Sequence, residues 1–372
     1  MNVSRMLCVA AVVACVGCRP SPPPVTPGSN GGTNSAETNG TEQPEDSPRT
    51  VRPTAAKLPT VETPKSVPAP APEKNSLRDL AARLIEPAEG AGWRISETAA
   101  LELERLGPEA PKKLLPLLAD PLLEVRRGAA FHLLSSFDPA VPEQVVAFKK
   151  LLDDKDPTVR NIGFQAVKQL PPAEIAATSS QLIALLDPSH ETKPENRAAV
   201  ARLAGTLGQR GAPFAESLQR AATSDSDDRV RAAAIFAYLQ VISPPETALP
   251  LLQTALKDPK PSVRLVAAGR LRSLATKATP AATDLAAALA DDNEDVRIAA
   301  SEALVRIGPP ALTPLRGALE SRNANAKKLA LACLSALGPA AKEVLPAIEK
   351  TQSDGDKDIA EAAKVLMERL KQ

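Results

Sequence analysis

From about residue 96 to the C-terminus one hydrophobic and polar pattern recurs. In DDNEDVRIAASEALVRIGPPA, residues 291–311, an acidic loop leads into Val296, Ala300, Leu304 and Ile307, spaced as one stripe of a helix that Gly308-Pro309-Pro310 ends. The segments LEVRRGAAFHLLSSF, PTVRNIGFQAVKQL, DRVRAAAIFAYLQVI and PSVRLVAAGRLRSLA align with this helix without gaps, setting Arg126, Arg160, Arg231 and Arg264 at the place of Arg297. Arg197, in ENRAAVARLAGTLG, fills the gap between the second and third, and weaker copies put Ser96, Lys327 and Ala360 at the same anchor position. Nine anchors between 96 and 360 give an average period of 33 residues, which a single globular core has no reason to show. Before each anchor helix lies a second apolar segment, such as KKLLPLLAD or TDLAAALADD, so each unit is predicted to be two antiparallel helices. The loop between them repeatedly reads Asp-Pro, at Asp120, Asp156, Asp187 and Asp258, which predicts an aspartate cap with proline in the first helical turn. Gly107, Gly308 and Gly338, each followed by proline, predict left-handed C-terminal caps.

The recurring Asp, Val-Arg, Ala, Leu and final Gly are similar to HEAT repeats, particularly the short kind of the phycobilisome lyases, over about 290 residues. That resemblance implies an all-α, right-handed α-solenoid of about eight to nine antiparallel helix pairs, armadillo-like, with the anchor helices on the inner, concave wall. It carries the family's recurring Asp and Arg onto Asp156 with Arg160, Asp258 with Arg264, and Arg297 with Asp295 or Asp292.

Helical geometry places the anchor arginine on the flank of the apolar stripe, about 60° from its centre and away from the solvent side. A charge at the edge of a core needs an opposite charge, and each acidic loop offers one to its own arginine or to the next repeat's. Arg126, Arg160, Arg197, Arg231, Arg264 and Arg297, with Asp156, Asp258 and Asp295, are therefore expected to form a structural ladder, with a row of anion-binding arginines as the alternative reading.

No other constellation points to chemistry. His132 and His190 are each alone in their repeats, Cys333 sits in the apolar run KKLALACLSALG, and SDGDKD lacks the glycine and glutamate of a calcium loop. No catalytic residue, metal or cofactor is expected. Attention moves to the surface. If the anchor helices line the inner wall, the fifth and ninth positions after each anchor face outward as a strip, and Arg105, Phe131, Gln165, Gln169, Arg202, Phe236, Gln240, Glu302 and Arg306 are its candidate partner-binding residues. Phe131 and Phe236 would suit a protein or peptide partner if exposed; the competing reading tucks both between repeats.

Ahead of the repeats the pattern vanishes. MNVSRMLCVAAVVACVGCRP has one early arginine and an apolar run of eleven residues from Met6 to Val16, too few to span a bilayer. This end resembles a bacterial lipoprotein signal over residues 1–17, with Cys18 the expected lipidated residue and Cys15 the alternative. Residues 18–75 carry thirteen prolines beyond Cys18 and six charges of each sign, and are expected to be a disordered tether, with the solenoid at 76–372. The solenoid holds 38 basic and 38 acidic residues, and aromatics are 2% of the chain, so nucleic acid is not expected as a partner.

The expectation is an exported monomer, lipid-anchored to a bacterial membrane and facing the periplasm or the outside, with the outer membrane favoured. It would act as a scaffold binding an unknown protein or peptide without catalysis, and touch the membrane only through the anchor. A bilin-lyase-like enzyme or accessory and a cell-wall or polysaccharide-binding module are the alternatives.

Overall fold

The computed structural model describes residues 73, 74, 76–88 and 92–372, so the predicted signal segment, Cys15, Cys18 and nearly all of the tether lie outside the described residues. Helix α1 (Leu77–Leu84) starts at Ser76, whose side chain accepts the N–H of Asp79. A small antiparallel hairpin follows, which the helical pattern did not predict: β1 (Ile85–Ala88) pairs with β2 (Gly92–Ile95), Ile85 opposite Ile95. Then come α2 (Glu97–Glu104), α3 (Ala110–Leu114), α4 (Leu123–Ser135), α5 (Pro142–Leu151) and α6 (Pro157–Val167). The next unit is α7 (Pro172–Ala177) and α8 (Ser179–Ala184) before α9 (Pro194–Thr206). Regular pairs complete the chain: α10 (Ala215–Ser224) with α11 (Asp228–Val241), α12 (Leu249–Ala255) with α13 (Pro261–Leu274), and α14 (Ala282–Ala288) with α15 (Glu294–Ile307). The last two are α16 (Leu312–Leu319) with α17 (Ala324–Leu337) and α18 (Leu345–Thr351) with α19 (Lys357–Lys371).

This is an α-solenoid. Anchor helices pack on one another in two runs: α1 on α4 and α4 on α6, then α9, α11, α13, α15, α17 and α19 in succession. The stripes become its core, with Val296, Ala300, Leu304 and Ile307 all fully buried. Between α6 and α9 the backbones make no comparably close approach, and the buried apolar residues divide within α6 into two clusters, one from Leu80 to Ala166 and one from Leu152 to Leu370.

Three local expectations are corrected. First, α1, and not the helix begun at Ser96, is the first member of the anchor layer. The Cβ that Gly128 lacks would stand 1.7 Å from the carbonyl oxygen of Ala81, so α1 and α4 touch backbone to backbone. The hairpin and α2 are inserted behind α1, which hides the repeat from a 33-residue search. Second, of the four Asp-Pro pairs, Asp156 caps a helix as predicted, accepting the N–H groups of Thr158 and Val159. Asp120 and Asp258 lie two residues ahead of the caps of α4 and α13, which are Leu122 and Lys260, and Asp187 accepts from Ser189 inside its loop. Third, Gly308 and Gly338 have positive φ (83° and 61°) but ψ of −147° and −132°, so the chain turns straight into a 3₁₀ segment without a left-handed helical cap. That region is open to glycine, and Ala275 enters it at φ 51° at the end of α13, a strain of order 1 kcal/mol.

Ala324–Thr351 is long and apolar enough for a membrane span by length and composition. Here Gly338 breaks it into α17 and α18, which pack on α16 and α19 as solenoid helices.

Candidate protein-interaction surface

The anchor arginines obey one rule, and it is not the pairing the family resemblance carried over. In its full form, shown by Arg126, Arg231 and Arg264, the arginine donates Nη1 to backbone carbonyls of its own loop, six and five residues earlier, and turns Nε and Nη2 to the carboxylate six residues before the next anchor. Arg231 shows it fully, with Nη1 2.9 Å from the Asp225 carbonyl oxygen and Nε and Nη2 2.8 and 2.7 Å from the two Asp258 oxygens. Arg78 grips Asp120, Arg126 grips Asp154, Arg197 grips Asp225 and Arg264 grips Asp291 in the same bidentate way. Arg160 reaches Glu191 at 3.3 Å with one nitrogen, and gives another to the His190 carbonyl. Lys327 closes the series on Asp354.

Asp258 thus serves the preceding repeat's Arg231, while Arg264 takes only its carbonyl, at 3.0 Å. Asp156 pairs with Arg127 of the preceding repeat and not with Arg160. Asp292 bonds Arg264, and Asp295 makes no bond to Arg297. Sequence reasoning missed Arg78, Arg127, Asp120, Asp154, Glu191, Asp225, Asp291 and Asp354; reading the residue six before each anchor would have found all but the two arginines. The carboxylates also fix their own loops: Asp258 accepts the N–H of Lys260 and Asp291 that of Asn293. Burial pushes the Asp258 carboxyl up, but the Arg231 guanidinium and the Lys260 N–H outweigh it and hold the group below the usual carboxylate range. Asp120 and Asp291 are held low by the same balance. These groups are committed to the frame.

The predicted strip divides. Gln169, Arg202, Phe236, Gln240, Glu302 and Arg306 are exposed on the anchor-helix layer. Phe131 is not: it is 3% exposed in the core beneath α4, because the close α1–α4 approach covers that face. Gln165 is also buried, accepting from Lys168 and bonded to Asn161. Arg105 is exposed but caps α2, which is outside the anchor layer.

Around Phe236 the face has a distinct character. Phe236 (42% exposed) on α11, Leu265 (37%) on α13 and Ile298 (45%) on α15 line a groove of about 410 Å³. Its floor is Gly269, at the position that holds phenylalanine on α11 and glutamate on α15, and a Cβ there would meet nothing within 4 Å. Arg270 stacks on the Phe236 ring at 4.2 Å, and burial, then Arg272, pull its pKa down. Arg272 pairs with Glu302 across the groove. The groove is lined by two arginines, Arg270 and Arg272, and two carboxylates, Asp295 and Glu302; on the same layer Lys168, Arg202, Arg270 and Arg306 have no carboxylate partner among the described residues. Sequence reasoning found Phe236 and missed Leu265 and Ile298, one residue after their anchors, where most repeats carry other residue types.

A larger cleft of about 1030 Å³ opens on the outer layer between Leu115–Ala119 and α5, with Val146 on its wall. The charged groups at its base, Asp120, Arg126 and Asp154, are ladder members already bonded to protein. Two groups with reactive potential are sealed. Cys333 is buried, its thiol pushed up to about 12 by burial, and His132 is held neutral to about 4 by burial. Asp354 and Asp356 belong to the ladder and the α19 cap, and Asp358 bonds Lys328; no metal-holding cluster occurs among the described residues.

A HEAT-repeat family model matches residues 248–278, the stretch that holds α12 and α13. The sequence matches no curated protein. Among solved structures, the karyopherin Kap121p bound to the extreme C-terminus of the protein phosphatase Cdc14p superposes with TM-score 0.52 at 13% identity, over 77% of this chain and 36% of its own. Importin beta superposes with TM-score 0.50 at 14% identity, over 79% of this chain and 44% of its own. YibA of Escherichia coli is 21% identical over 74% of this chain and 98% of its own, with TM-score 0.41. The chain therefore shares the HEAT and armadillo-type solenoid fold of the karyopherins, and spans less than half the length of the two it matches here.

Proposed function

We propose that this protein is an exported, lipid-anchored scaffold, and that its solenoid holds an extended segment of a partner protein without chemical turnover. The observation that carries the reading is the groove over Gly269. Three large apolar side chains from three successive repeats are exposed together on a face that is otherwise polar. Arg270 in the groove, with Lys168, Arg202 and Arg306 elsewhere on the same layer, has no carboxylate partner among the described residues, which favours a segment with one or two large apolar side chains flanked by acidic residues. The fold supports this mode, since Kap121p is seen holding the terminus of another protein. The lipid anchor rests on the Gly17-Cys18 ending of the apolar run, and places the solenoid on a tether facing the periplasm or the outside.

The test joins crosslinking in intact membranes with a double substitution, Phe236→Ser and Ile298→Ser. The wild-type protein should capture one dominant partner; the double variant should lose it with its thermal melting within about 2 °C, because both side chains are already solvated. Undiminished capture would reject the groove. Cys18→Ala should release the protein from membranes and abolish acyl labelling; retention of both would move the anchor to Cys15 or remove it.

A further inference from the structure

The ladder has one interruption among the described residues. Six residues before Lys327, where the other junctions carry Asp or Glu, stands Ser321. The loop around it is otherwise unchanged. Asn293 and Asn323 cap their helices alike, accepting the N–H groups of Val296 and Ala326 at 3.1 and 3.0 Å, with φ and ψ of −90° and 128° against −86° and 118°. Arg297 is held as its counterparts are, with Nη1 2.9 Å from the Asp291 carbonyl oxygen and 3.2 Å from that of Asp292; Arg264 has the corresponding contacts at 3.0 and 3.3 Å. Its Nε and Nη2, the edge that grips a carboxylate in Arg231 and Arg264, bond no group among the described residues. The Ser321 hydroxyl is turned to the carbonyl of Asn323 at 3.5 Å, and the Arg297 side chain is half-buried and reachable from solvent.

We infer that Arg297, with Ser321 beside it, is a binding site for a carboxylate supplied by a partner peptide. The frame that positions five other arginines for bidentate bonding has oriented this one at no further conformational cost, and the acceptor must come from outside the ladder. The flat two-oxygen geometry of the neighbouring junctions is that of a carboxylate, so an Asp or Glu side chain or a chain terminus is the ligand. The site stands on its own geometry. It also fits the acidic flank proposed above, since Arg297 neighbours Ile298 on α15, but its test does not need the groove or an identified partner.

The experiment follows the Arg297 Nε–H resonance of the purified full chain by NMR. The probes are N-acetyl-glutamate amide for a side-chain carboxylate, N-acetyl-alanine for a terminal one, and inorganic phosphate. One of the carboxylates should produce a saturable shift, and which does so distinguishes side chain from terminus. Ser321→Asp supplies the missing ladder member: it should raise the melting temperature and weaken carboxylate binding roughly tenfold or more, whereas Ser321→Asn should leave binding in place. No saturable shift with either carboxylate, a stronger response to phosphate, or unchanged binding in Ser321→Asp would each overturn the inference. Phe236→Ser with Ile298→Ser should leave this signal untouched, so failure of the groove and failure of this site are read separately.

Discussion

The two halves of the solenoid solve the same stacking problem differently. Of the thirteen buried polar or charged residues among the described ones, ten lie from His132 to Arg197, and after Arg231 only Thr351 follows. The front half also relies on glycines at backbone contacts: Gly128 against Ala81, Gly163 against Leu151 and Phe148, Gly205 against Ala237. In the back half Gly269 and Gly317 face open space. Beyond α11 the repeats are joined by one apolar stripe and the ion-pair ladder of Arg231, Arg264 and Lys327, interrupted only at Arg297 among the described residues. In front of it each junction has its own fit, including an inserted hairpin and the wider seam between α6 and α9. A repeat that uses a general solution leaves its outer face free to vary, and the exposed groove lies there. Specific junctions spend their surface on each other, and Phe131 and Gln165 are buried for that reason.

The contrast can be broken most strongly at the ladder. Arg197 and Asp225 have side chains only 3% and 1% exposed, so Arg197→Ala should cost about 3–5 kcal/mol by stranding a buried carboxylate. Arg297→Ala, with no carboxylate opposite, should cost about 1 kcal/mol or less, and urea denaturation of the pair would measure the difference. Equal losses would show that carbonyl contacts, and not ion pairs, hold the frame.

The glycines give the next largest effect. Gly128→Ala drives a Cβ into the Ala81 carbonyl and should cost about 3 kcal/mol, read as loss of hydrogen-exchange protection in α1. Gly269→Ala meets no neighbour within 4 Å and should stabilise α13 by about 0.5–1 kcal/mol.

Acid sharpens the comparison most gently. Buried His132 takes up a proton only near pH 4 when folded but near its ordinary value of 6.5 when unfolded, so the unfolded state binds more protons between those values. Stability should fall as pH drops through that window, by up to about 1.4 kcal/mol per unit, and exchange should quicken first in α4. The ladder aspartates act lower, below their ordinary 3.8, where the pairing they contribute is lost. His132→Leu should remove the upper phase and leave the lower; an unchanged profile above pH 4 would show that another group is responsible.

Much of this was legible in the sequence. The stripe Val296, Ala300, Leu304 and Ile307 and the glycine stop at Gly308 follow from helical period and backbone sterics, which act over a few residues and repeat visibly. The need of each anchor arginine for a counter-charge was also readable, because its angular position puts it beside the core. The choice of counter-charge was not. Asp258 can cap its own helix, face Arg264 or reach back to Arg231, and those options differ only in how far one repeat is turned on the next. For the same reason Phe131 and Phe236, at the same step of the repeat, part company: α1 closes over one, and Gly269 leaves the other open. Sequence by itself determined the helices, their order and the charges at their edges. Tertiary structure alone decided which partner each charge took, and which of two equivalent side chains was left for another molecule, because packing between repeats depends on distances that no local pattern encodes.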